Sequence, residues 1–175
     1  MVYHFRLISN EIDDFIFEIL IDSEAYFSDL HLFIQENLNF DKSQITSFFV
    51  TDEDWHKEIE ITLLDMSFGE SEQLVMDKIK INELVSSLRQ RLLYVFDMFS
   101  ERVLFMELIE IKSERFDTPV CVRLEGEPPA GFSSDFGLDL NDDIQDMPLF
   151  SDDGDDDDYD PESLPDFDEI DDEYY

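Results

Sequence analysis

Two apolar runs, Leu92 to Phe96 and Val103 through Met106 on to Ile111, stand on either side of the polar step Ser100-Glu101-Arg102. Leu, Val, Phe, Tyr and Ile fill both arms, and each arm is short for a buried helix. The pattern over Arg91 to Lys112 therefore predicts two β-strands forming the central hairpin of a sheet. The opening predicts another hairpin: Val2 to Ser9 alternates weakly, Asn10-Glu11 supplies a turn, and Phe15 to Ile21 is a denser apolar run. Spacing of three and four residues then takes over. Phe27, Leu30, Phe33, Ile34 and Leu38 make one apolar face of a helix that Ser23 or Ser28 can cap and that Asn37 and Asn39 end. Ile45 to Thr51 and Glu58 to Leu64 predict strands around the polar loop Asp52 to Lys57, which holds Trp55, and Gly69 to Gln73 is loop. Ile81 to Leu88, with Asn82 as cap and Ile81, Leu84, Val85 and Leu88 on one side, predicts a short second helix, and Val120 to Leu124 a last strand. The fold class is α+β: a mixed, mainly antiparallel sheet of hairpins packed on one long and one short helix, in a single domain over residues 1–126.

Past Gly126 the composition changes. Pro128-Pro129, Gly131 and Ser133-Ser134 read as a linker, and the rest of residues 127–175 is Asp-rich with isolated Phe, Tyr, Leu and Met. Such a segment cannot offset a backbone ordering cost of about 1 to 2 kcal/mol per residue, so it is expected to be disordered when free. All eleven Lys and Arg lie between Arg6 and Arg123, whereas Phe132 to Tyr175 holds nineteen of the 46 Asp and Glu and no base. That leaves 27 acids against eleven bases before residue 132. A chain this anionic repels phosphate backbones and anionic membranes and attracts basic surfaces, so the expected partner is a basic protein surface and direct nucleic-acid binding is not expected.

Cys121 is the single cysteine, which excludes an intramolecular disulfide and any cysteine-based zinc or iron–sulfur site. Glu11, Asp13, Asp14 and Glu18 interrupt what a signal peptide would need as an apolar core, and no run approaches the ~20 apolar residues of a membrane span. A soluble cytoplasmic protein without cofactor is the expectation.

Four segments, in order, resemble the plasmid open-reading-frame-three-like family (Ri plasmid), small α+β proteins whose biochemical role is generally unassigned. They are F-x-D-L-H-x-x-I-Q, here Phe27, Asp29, Leu30, His31, Ile34 and Gln35; the strand Ser47-Phe48-Phe49-Val50; Y-x-Y-D, here Tyr94, Phe96 and Asp97; and P-x-C with G-E-x-P-P, here Pro119, Cys121, Gly126, Glu127, Pro128 and Pro129. Together they span roughly residues 1 to 131. Two departures bear on function. Where the family continues F-G-D-x-W, this chain reads Met98-Phe99-Ser100-Glu101-Arg102, and the acidic pair and glycines after Pro-Pro are reduced to Ala130-Gly131. The resemblance thus implies the fold and argues against a retained polar catalytic site.

The candidate catalytic residues are His31, Asp97 and Asp29, which a hydrolase-like enzyme would bring together in a cleft. Against that stand ordinary roles: a helix histidine bonded inside the fold, and a carboxylate capping turn amides at a hairpin. His4 and His56 are isolated in sequence, Glu107 and Glu110 fall on opposite faces of a regular strand, and Cys121 has no His or Lys beside it in sequence to activate it. In the tail, Met147, Leu149, Phe150, Tyr159, Leu164, Phe167 and Ile170 are interleaved with acids. This is the pattern of a segment that folds on a basic partner with apolar pockets, and Met147, Phe150, Tyr159 and Phe167 are the candidate contacts. A solvated anionic appendage is the plainer reading. Asp152, Asp153 and Asp155 to Asp158 flank Gly154 without EF-hand spacing, so no metal site is assigned.

Overall fold

The structure is a computed structural model that describes residues 1–65 and 73–130. Within these residues the chain runs β1 (Val2–Ser9), β2 (Ile16–Asp22), α1 (Phe27–Leu38), β3 (Ser47–Thr51), β4 (Lys57–Thr62), β5 (Leu74–Val75), α2 (Ile81–Leu84), β6 (Arg91–Asp97), β7 (Arg102–Lys112) and β8 (Val120–Glu125). The strands form one eight-stranded sheet in the order β5-β4-β3-β6-β7-β1-β2-β8. Every pairing is antiparallel except β4 with β5. The β6–β7 hairpin lies at the centre, as its two apolar arms require, with the opening hairpin against its β7 side and β3 against its β6 side. Residues 131–175, and with them the tail and its candidate contacts, lie outside the described residues, as do residues 69–72 of the expected loop.

One face of the sheet carries the core. Phe5, Leu7, Phe17, Ile19, Phe48, Leu92, Tyr94, Leu104 and Met106 are buried there beneath α1. The helix seats its aromatic residues on three strands: Phe27 against Phe48 of β3, His31 against Tyr94 of β6, and Phe33 stacked on Phe17 of β2. Burying side chains of this size stabilises the fold by about 1.5 to 3 kcal/mol each. At twelve residues α1 is of average length rather than the long helix expected.

Neither Ser23 nor Ser28 caps α1; the N-cap position is Tyr26. The first-turn amides of Phe27 and Ser28 donate instead to the carbonyls of Ile79 and Met76, and the Tyr26 amide donates to Asp29 Oδ2 at 2.9 Å. These orphan donors are satisfied mainly by tertiary backbone contacts, which a local serine signal cannot reveal. At the other end Asn39 adopts φ 54°, as expected.

The second helix is also shorter than its periodicity predicts, and Lys80, not Asn82, is its N-cap. Val85 turns extended, the Ser86 and Ser87 amides donate to Gln90 Oε1, and Gln90 Nε2 donates to the Leu84 carbonyl. The Gln90 side chain thus closes a turn where the helix would have continued, leaving Leu88 exposed. Gly126, at φ +73°, passes so close to the opening hairpin that a Cβ would lie 2.6 Å from the Asp14 carbonyl oxygen. Only glycine fits that conformation at that approach, which gives the G-E-x-P-P segment a packing reason for its first residue.

Candidate functional site

The three candidate catalytic residues do not converge. His31, 3% exposed, turns inward, where its Nδ1 lies 2.9 Å from the Tyr94 hydroxyl and 3.2 Å from Thr46 Oγ1. Burial lowers its pKa to about 4, so the ring is neutral at physiological pH. The same burial pushes the Tyr94 phenol upward, partly opposed by a hydrogen bond from Thr46. Asp29, two residues from His31, faces outward on the helix and holds the Tyr26 amide. Asp97, 4% exposed, accepts the amides of Phe99 and Ser100 and so fixes the tip of the β6–β7 hairpin. Each has a hydrogen-bond partner that builds the fold, and no acid–base pair forms among the three.

Beyond Asp97 the hairpin tip replaces the resembled pattern residue by residue. Arg102, which stands where that pattern has Trp, lies 4.9 Å over the Phe96 ring and chelates Glu11 at 2.9 and 2.7 Å. Phe99 projects 92% exposed.

The face of the sheet away from α1 carries one row of alternating charge beside an apolar row of Phe49, Leu93, Phe105, Ile8 and Ile16. Arg91, Glu107, Arg6, Glu18 and Arg123 are cross-strand neighbours on β6, β7, β1, β2 and β8, alternating in sign across five strands. Arg6 Nε donates to Glu18 Oε1 at 2.8 Å, Arg123 approaches the same oxygen at 3.6 Å, and Arg91 reaches Glu107 at 3.5 Å. His4 sits in a parallel row with Nε2 3.1 Å from Glu18 and Nδ1 3.4 Å from Glu110. Burial would raise the Glu18 pKa, but the Arg6 guanidinium and the His4 ring outweigh it and hold the carboxyl below its ordinary value. Glu107 and Glu110 fall on this one face together. The register shift at His4/Phe5 inserts an extra residue into β7, so the alternation that separates the two acids in a regular strand is broken between them.

At the β3–β4 turn the side chains of Asp52, Asp54 and His56 lie within 4.8 Å of one another. Asp52 Oδ1 accepts the amides of Asp54 and His56 while Oδ2 pairs with His56 Nδ1 at 2.8 Å, which raises the pKa of the exposed ring. The cluster is a turn held by its own hydrogen bonds. Trp55, at φ 68°, sits edge-on to Phe105 beneath Arg91. Cys121 is half-buried beside the core.

A groove of about 360 Å³ opens between α1, the end of β2 and residues 116–119. Sequence reading missed it, because its walls come from segments eighty residues apart. Leu32 and Phe33 of α1 face Phe116 and Pro119, and four carboxylates, Asp22, Asp29, Glu36 and Asp117, stand around them. No Lys, Arg or His is among the lining residues. Lys42 reaches Glu36 at 3.5 Å in an exposed pair. The sequence signal was Leu32, a leucine off the apolar stripe of α1, with Asp29 and Glu36 three and four residues away.

The solved structure of a protein of unknown function, MM3350 from Methanosarcina mazei Go1, superposes with a TM-score of 0.57 at 20% identity, covering 70% of this chain and 68% of that one. That likeness defines the shared α+β sheet fold. No curated protein matches the chain. The family model for the plasmid pRiA4b ORF-3-like protein matches residues 4–135, and the chain belongs to that family. Phe27, Leu30, His31, Ile34, Tyr94, Asp97 and Gly126, which carried the resemblance in the sequence, are packing, hydrogen-bonding and close-approach positions of this fold. Among the described residues no helix is long and apolar enough to cross a membrane.

Proposed function

We propose that the chain is a non-enzymatic, cytoplasmic protein-interaction module that engages a basic protein surface. The observation that carries this reading is the distribution of charge: 46 acids against eleven bases, with no base at all after Arg123. In this reading the acidic tail beyond Ala130 is a disordered arm when free, and Met147, Phe150, Tyr159 and Phe167 bury their side chains in the partner while the surrounding acids meet its lysines and arginines. The occupation of His31, Asp29 and Asp97 in building the fold supports an interaction role over hydrolysis.

Affinity capture from native cytoplasm tests it, comparing the full chain with one truncated at Gly131 and repeating both at high salt. Partners of basic character that the truncation loses, and that salt releases steeply, are the expected result. The same partners from both chains would remove the tail from the account.

A further inference from the structure

We propose that the groove between α1 and residues 116–119 is a docking site for an extended peptide segment in which one apolar side chain stands between two basic ones. The proposal rests on the reading of the chain as a binder of basic protein surfaces, and places that binding on the folded domain as well as on the tail.

The groove is apolar where a side chain would enter and anionic where its neighbours would lie. Leu32 is 48% exposed at the mouth, with Phe33 beside it, and Phe116 and Pro119 form the opposite wall. Asp29, Leu32, Phe33 and Glu36 share one stripe of α1, because three, four and seven residues return a helix to the same side. The two carboxylates are therefore about 10 Å apart along the helix axis, with the apolar pair midway. An extended segment places side chains i, i+2 and i+4 on one side over about 13 Å, and flexible lysines at its ends can close to the carboxylate spacing. Asp22 and Asp117 offer further acceptors around the mouth. The complement is basic–x–apolar–x–basic. An acidic segment is repelled, and a polycation without an apolar side chain leaves Leu32 and Phe33 uncovered.

The test is a titration of the isotopically labelled full chain with the synthetic peptide Ser-Lys-Ser-Leu-Ser-Lys-Ser, read by amide chemical shifts, which report where binding occurs. Shifts concentrated on residues 29–36 and 116–119 are expected. Replacing the peptide's leucine by serine is expected to weaken binding about fivefold, the equivalent of roughly 1 kcal/mol of apolar burial. Substituting Glu36→Lys and Asp117→Lys together is expected to weaken it about tenfold while the shifts of the sheet residues stay in place, showing the fold intact. Shifts confined to residues 132–175 would overturn the groove and leave the tail-based reading standing. Equal binding of the serine peptide would overturn the groove's apolar selectivity and with it this proposal. An absence of shifts anywhere would count against both.

Discussion

Beneath α1, the sheet buries a histidine that is neutral and bonded to a tyrosine and a threonine, among aromatic rings and aliphatic side chains. On the opposite face five charged residues cross five strands, and Glu18 is 7% exposed yet ionised. The difference is one of partners as well as depth. His31 has only dipoles to stabilise it, so burial strips its charge, whereas Glu18 lies between the arginines of β1 and β8 and keeps its own. The ladder holds three arginines and two glutamates, so it consumes bases without using up the acids. On the helix side, by contrast, the groove collects four carboxylates with no base among its lining residues.

The comparison can be broken hardest from the core. Phe48, buried against Phe27 and Tyr94, is expected to cost about 3 to 5 kcal/mol when replaced by Ala, measured by urea unfolding. A pH series separates the two faces next. His31 titrates near 6.5 when unfolded and near 4 when folded, so the unfolded state binds the extra proton and stability falls as pH drops between those values. The loss amounts to at most about 3 kcal/mol, and His31→Gln should flatten that part of the profile. Glu18 works in the same direction but lower: its depressed folded pKa gives stability present above the ordinary carboxylate range and lost as pH falls through the folded value. At neutral pH, Glu18→Gln is expected to cost about 2 kcal/mol, with positive coupling to Arg6→Met in a double-mutant cycle. At the exposed end of the same ladder, Glu125→Gln breaks only the pair with Arg123 and should change stability by less than about 0.5 kcal/mol. Equal costs at Glu18 and Glu125 would show that the partners on neighbouring strands do not set the difference.

What the chain disclosed in advance was whatever depends on near neighbours in sequence. The central hairpin, the opening hairpin, the apolar face of α1 and the strand at Val120 follow from alternation and helical spacing, and all are present. What failed depends on contacts made across long separations. Ser23 and Ser28 are plausible caps until Met76 and Ile79 arrive, Leu88 belongs to a helix until Gln90 closes the turn, and Glu107 and Glu110 are separated until a bulge shifts the register. The same limit governs function. His31 and Asp97 were legible as special polar residues, and each has hydrogen-bond partners inside the fold, while the groove needed Leu32 and Phe116 to meet.

The way α1 begins carries a last consequence, for the order in which the molecule assembles. Its leading amides are satisfied by carbonyls some fifty residues downstream, so a nascent chain released only as far as β4 holds a helix whose first turn is incomplete. The helix gains its finished start only when residues 76–80 emerge and dock, and the two events are one step of assembly.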